Sequence, residues 1–110
     1  MTPRTESRLF RLSPSGLVLL LALEREGKKG EWFKISGVWR AVKPVFSAPQ
    51  VFYSYLKRFQ IYGWLEHSWD RELGADEKCG VYRLTEEGRE AANWARRRWG
   101  PALKKLLEET

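Results

Sequence analysis

Cysteine and histidine each occur once in this chain, as Cys79 and His67, and that scarcity removes several kinds of chemistry at the outset. One cysteine cannot build an internal disulfide framework or a multi-cysteine zinc site, so Cys79 reads as a solvent-side residue of no special reactivity. His67 has no Cys, His or paired carboxylates at ligand spacing, so it reads as an exposed strand residue and no metal is expected. No apolar run approaches the roughly 20 residues of a membrane span. Leu17 to Leu23 is too short and is followed by Glu24, Arg25 and Glu26. The start lacks a basic, apolar and small-residue leader, so a cytoplasmic location without membrane partners is expected. No glycine-rich loop follows a strand in the phosphate-cradling pattern, and the acidic residues are scattered without a constrained pair for acid–base work. Neither catalysis nor a cofactor is expected. Asparagine occurs once, at Asn93, and glutamine twice, at Gln50 and Gln60, beside abundant Glu and Arg. That balance is seen in proteins of hot environments.

What the chain does contain suits one compact domain: 110 residues, 43% of them hydrophobic, with six Trp, four Tyr and five Phe to supply core area. The net charge of +6 is uneven. Residues 1–58 carry eleven Lys or Arg against four Glu, a balance of +7, while residues 59–110 carry nine against ten, a balance of −1. Positive charge is thus gathered where phosphate contacts would be required, although basic residues also serve simply to solubilise a surface.

Residues 1–12 are polar and carry Arg4, Arg8 and Arg11, which suggests a flexible basic arm. Ser13 followed by Pro14 marks a helix start, and Leu17, Leu20, Leu21 and Glu24 continue it to about Glu26. This helix is apolar nearly all round, so it should lie in mid-core. Gly27 to Gly30 is a basic turn. Trp32 to Ile35 reads as a short strand joining a wing sheet, and Ser36 as the cap of a brief helix from Gly37 to Lys43 that Pro44 ends. The other reading of this stretch is one helix from Trp32 to Val42. Ser47 can cap the next helix, with Gln50 completing a capping box and Pro49 in the first turn. Phe52, Leu56 and Phe59 make its core stripe, with Tyr55 beside them, and Gln50, Tyr53, Ser54, Lys57 and Arg58 lie toward the other side. Gly63 ends it, Trp64–Leu65 and Val81–Leu84 read as strands, and Glu72 to Gly80 is the turn between them. Thr85 caps a last amphipathic helix, which Gly100 and Pro101 are expected to kink.

A capped helix, a hairpin and a second capped helix form the order of a winged helix-turn-helix. The fold expected is therefore α+β: a three-helix core with a short β-hairpin wing over residues 13–85, then a long C-terminal helix over residues 86–110. Phe52-Tyr53-Ser54-Tyr55-Leu56-Lys57-Arg58-Phe59, Gly63-Trp64-Leu65 and Tyr82-Arg83-Leu84-Thr85-Glu86-Glu87-Gly88 resemble PadR-like winged-helix transcription regulators over about half of the chain. Small archaeal winged-helix regulators are an equally natural home. The resemblance implies a homodimer on double-stranded DNA, with the helix from Ser47 to Tyr62 in the major groove. Gln50, Tyr53, Ser54 and Lys57 are the candidates for base or groove contact, Gln50 suiting adenine and Lys57 guanine or phosphate. Lys28, Lys29, Arg40, Lys43 and Arg58 are the phosphate candidates, and Arg71, Lys78 and Arg83 those of the wing. Near the wing tip Asp70, Glu72, Asp76 and Glu77 outnumber the cations, so the tip should stay out of the groove or meet a protein partner. Ala95, Trp99, Leu103 and Leu106 are the expected dimer stripe, the alternative being a helix folded back on its own domain. The aromatic surplus at Trp39, Trp64, Trp94 and Trp99 suits core or interface better than an effector cage. Two other functions fit the same residues: a winged-helix interaction module of DNA partition or replication, and an RNA or ribosome-associated binder.

Overall fold

The structure, a computed structural model, describes residues 3–28 and 31–109, apart from the side chains at 103, 104 and 106–109. Among the described residues there are five α-helices and one three-stranded sheet, which together make the α+β winged helix with a long last helix. No described helix is long and apolar enough to cross a membrane.

The chain opens with a helix, α1 (Pro3–Phe10), where a flexible arm was expected. Charge composition concealed a short stripe: Thr5 and Leu9, one turn apart, are buried, and Leu12 continues their face. Thr5 Oγ1 donates to Glu87 Oε1 at 2.6 Å, tying α1 to the last helix. Arg8 lies 4.3 Å over the Tyr62 ring and donates to the Tyr62 carbonyl at 3.2 Å, so one of the arm's cations works inside the fold.

Helix α2 (Pro14–Glu26) begins as its residues dictate, with the Ser13 hydroxyl accepting from the Gly16 amide at 3.3 Å and Pro14 in the first turn. Leu17, Leu19, Leu20 and Leu23 are buried, which places this helix in mid-core. Strand β1 (Phe33–Lys34) is followed at once by α3 (Ile35–Val42). Ser36 is not its cap: Lys34, the last strand residue, takes that place without a side-chain bond, so the helix starts two residues before Gly37. Gly37 is no breaker either: it lies inside α3, with the Glu26 carboxylate 2.7 Å from the place a Cβ would take. Pro44 sits in a 3-10 turn, Lys43–Val45, that leads to α4 (Pro49–Ile61).

The cap of α4 is Ala48 rather than Ser47, again with no side-chain bond. A residue before proline is driven to extended backbone, and Ala48 obeys at φ −152° and ψ 145°. Pro49 thereby sets the boundary one residue later than the Ser47–Gln50 capping box would. At the other end Gly63, at φ 79°, donates to the Gln60 carbonyl at 3.0 Å while Trp64 donates to the Phe59 carbonyl at 2.9 Å, a Schellman closure.

Strands β2 (Leu65–Ser68) and β3 (Val81–Leu84) form the hairpin, and β1 joins its free edge, giving the antiparallel order β1-β3-β2. The tip spans residues 69–80, three more than Glu72 to Gly80, and includes a 3-10 turn at Arg71–Leu73. Helix α5 (Glu86–Glu109) starts at Thr85, whose hydroxyl accepts from the Gly88 amide at 3.0 Å and donates to the Gly63 carbonyl at 2.6 Å. One residue thus fastens α5 to the end of α4. The helix continues through Gly100 and Pro101 as a single element. Its Ala91, Ala92 and Ala95 enter the common core with Leu19, Phe52, Leu56, Phe59, Trp64 and Leu84.

Candidate nucleic-acid interface

The two sides of α4 differ sharply. Phe52, Leu56 and Phe59 are fully buried, whereas Gln50, Tyr53, Ser54, Lys57 and Arg58 are exposed, Tyr53 by 54%. The inner side is braced by rings: Phe52 lies 5.0 Å from Trp39 and 5.8 Å edge-on to Phe46, and Phe59 lies 5.5 Å from Trp64. Tyr55 shares a hydrogen bond with Ser13, the residue that also caps α2, so α4 is held against the start of α2. The outer side therefore belongs to a rigid element and presents an amide, a phenol, a hydroxyl and an ammonium at helical spacing. Such a set can reach base edges in a groove about 12 Å wide.

The basic residues are less well gathered. Arg58 lies 4.9 Å over the Tyr55 ring on the flank of α4. Arg40 on α3 and Lys43 just after it are exposed. Lys28 borders a surface depression shared with Leu21, Arg25 and Arg96, on the α2–α5 side of the molecule. No described contact joins it to α4. Lys29 lies outside the described residues.

On the wing, two of the three cations are engaged. Arg83 pairs with Glu66 at 2.9 Å and lies 4.6 Å over the Trp32 ring, and Arg71 pairs with Glu77 at 3.4 Å. Lys78 is exposed and has no ion pair among the described residues. The acidic tip is partly accounted for from within, because Asp76 accepts from Lys34 Nζ at 3.0 Å and from the Lys78 and Cys79 amides at 2.9 and 2.7 Å. Lys34 first, then those amides, hold the Asp76 carboxyl below the ordinary aspartate range.

Sequence reading missed a line of rings on the wing. His67 and Tyr82 stack at 4.4 Å with planes 4° apart, and Trp69, 58% exposed, lies 5.3 Å from His67. Burial, and secondarily the neighbouring Tyr53 phenol, pushes the Tyr82 phenol up. The signal was present as the alternation Leu65, His67, Trp69 along β2 and one residue past its end, but the partner across the sheet depends on register.

The expected dimer stripe is only partly available. Ala95 is fully buried in the subunit's own core, because α5 turns that face toward the common core, so it cannot meet a second copy. Trp99 is half-buried against the same core, and the side chains of Leu103 and Leu106 lie outside the described residues. An outward patch lies elsewhere on α1 and α5: Phe10, 53% exposed, stands edge-on to Trp94 at 5.4 Å, and the Arg98 guanidinium lies 5.3 Å from Phe10 and 5.6 Å from Trp94.

The sequence matches no protein-family model and no curated protein. Solved structures do resemble it. The zinc-responsive MarR-family member ZitR of Lactococcus lactis superposes with a TM-score of 0.63 over 89% of this chain at 18% identity, and the chain spans 60% of that protein's length. BpsR of Bordetella bronchiseptica, whose DNA binding is regulated by 6-hydroxynicotinic acid, gives 0.61 over 96% of this chain and 77% of its own at 19% identity. A probable transcriptional regulator of Pseudomonas aeruginosa gives 0.56 over 96% and 90% at 18% identity. These likenesses establish a winged-helix fold of the MarR type. Among the described residues no group of three His, Cys, Asp or Glu could hold a metal ion.

Proposed function

We propose that this chain is a DNA-binding transcription regulator that acts as a homodimer, with α4 in the major groove of double-stranded DNA. The observation that carries the reading is the division of α4: its apolar side is locked in the core while Gln50, Tyr53, Ser54 and Lys57 stand free on a single rigid helix. In this arrangement Gln50 pairs with an adenine edge, Lys57 with guanine or phosphate, and Tyr53 and Ser54 fill the groove between them. Arg40, Lys43 and Arg58 hold the flanking phosphates. Of the positive charge in residues 1–58, Arg40, Lys43, Lys57 and Arg58 are exposed on α3, just after it, and on α4, where such contacts are needed.

The solved structures named above support this reading: one is a MarR-family member, one a protein whose DNA binding is regulated, and one a probable transcriptional regulator. The residues of α4 and of the wing exit resemble PadR-like regulators, and winged-helix DNA recognition is common to both. The second subunit docks along α1 and α5, where Phe10 is exposed beside the half-buried Trp94. Two recognition helices then meet half-sites about one helical turn apart, roughly 34 Å, in an inverted repeat.

Selection of bound duplexes from a random pool tests this. The expected result is a symmetric enriched motif that Tyr53→Ala and Lys57→Ala abolish. Enrichment that survives both substitutions, or a preference for RNA, would overturn the reading.

A further inference from the structure

The wing carries a large apolar ring that the core does not use. Trp69, just past β2, is 58% exposed, and Tyr53 on α4 is 54% exposed. Beside Trp69 lie His67 and Tyr82, paired across β2 and β3 in register and stacked at 4.4 Å. Tyr82 is buried, and β2 packs against α4, so the stack is anchored next to that helix.

This stack is a support for the exposed ring of Trp69. Tyr82 covers one face of His67, and His67 in turn backs Trp69 at 5.3 Å. A continuous stacking platform for a single strand would need successive open faces, and here His67 and Tyr82 lie face to face on each other. The backing is held tightly. A Cβ at Gly80 would fall 2.2 Å from His67 Nε2, so the bare glycine leaves the space that the flat imidazole occupies. The backbone around Trp69 is pinned on both sides: the Asp70 amide donates to Ser68 Oγ at 3.1 Å, and the Glu72 amide donates to Asp70 Oδ1 at 2.9 Å.

Charge argues in the same direction. Arg71 and Arg83 are paired with Glu77 and Glu66, which leaves Lys78 as the wing cation without an ion pair among the described residues. Asp70 and Glu72 beside Trp69 discourage a phosphate contact there, so in a duplex complex the ring itself, and not a charge, is what this part of the wing offers to the bases.

We propose that Trp69 is an apolar wedge which the wing inserts at a base step flanking the α4 contact, unstacking that step and bending the duplex, with His67 and Tyr82 as its fixed backing. The proposal rests on the DNA-binding reading of α4.

The test uses the full chain and a short duplex carrying the enriched motif, with a fluorescent adenine analogue placed in turn at each flanking step and dyes at the two ends. Wild-type protein is expected to raise the analogue's emission at one step outside the α4 contact and to bring the ends closer. Trp69→Ala should lose both signals and weaken binding by about tenfold, with an unchanged salt slope because no charge is removed. Trp69→Phe should restore part of the bend, and Gly80→Ala should reduce it by moving His67. The thermal midpoint of Trp69→Ala should equal that of wild type, since the ring is exposed. Wild-type binding without a bend, or a Trp69→Ala protein that bends DNA as well as wild type, overturns the wedge and leaves the α4 reading standing. A pool that yields no duplex at all overturns both.

Discussion

Phe52 and Tyr53 are consecutive residues on one helix, and they should fail in opposite ways when truncated. Phe52 is fully buried, with its ring against Trp39, Phe46 and Tyr53 at 5.0, 5.8 and 5.4 Å. Replacing it with alanine removes a whole ring from a site closed on every side, which costs about 3–5 kcal/mol in buried phenylalanines. Against a total stability of about 5–15 kcal/mol for a native domain, the folded-to-unfolded ratio falls by about two to four powers of ten. Tyr53 is 54% exposed and shares only the edge contact with Phe52, so Tyr53→Ala should cost under about 1.5 kcal/mol. Urea unfolding followed by far-UV circular dichroism measures both, and competition against the enriched duplex measures binding. Phe52→Ala should show a much lower urea midpoint with its duplex contacts intact in whatever fraction is folded. Tyr53→Ala should keep its midpoint and lose the duplex. Equal destabilisation by the two substitutions, or tight binding by Tyr53→Ala, would refute the assignment of the two sides of α4.

Gly63→Ala should destabilise by about 1–2 kcal/mol, because φ is 79° at the closure of α4, and urea titration reads this directly. Asp76 is held ionised below the ordinary aspartate range by Lys34 and two amides, so its contribution is complete above the unfolded value and is lost as pH falls through the lowered folded value. Asp76→Ala at neutral pH should therefore speed hydrogen exchange at the Lys78 and Cys79 amides and leave the core amides unchanged. Phe10→Glu should reduce the sedimenting species from twice the 12.9 kDa chain to one copy, since Phe10 is exposed on the proposed α1–α5 interface. Arg40→Ala and Lys43→Ala should each lower the slope of log affinity against log salt by about 1 without changing the enriched motif.

Local signals were read well from sequence. Ser13-Pro14, Gly63 and Thr85 mark their boundaries because a cap or a left-handed glycine acts within a few residues, and all three hold in the structure. The stripe Phe52, Leu56, Phe59 was equally legible, since burial of one helix side imposes its period on sequence. Errors arose where two local signals competed or where the decisive partner was distant. At Ser47 a capping box competed with the effect of Pro49 on Ala48, and the proline won by sterics. The first helix looked like an arm because the surface that buries Thr5 and Leu9 comes from the far end of the chain, Glu87 among it. Ala95 fitted a dimer stripe by spacing, but spacing alone does not say which side of α5 the domain covers. The His67–Tyr82 stack required the register of a hairpin whose tip is long and irregular.

The central claim is that the outer side of α4 meets the bases of a duplex. Titrating isotope-labelled protein with the enriched duplex and following backbone amide shifts tests it most directly. The account predicts the largest changes along α4 around Gln50, Tyr53, Ser54 and Lys57, with smaller ones at Arg40, Lys43 and the wing. Changes confined to the α2–α5 side around Lys28 and Arg96, with α4 unmoved, would contradict it.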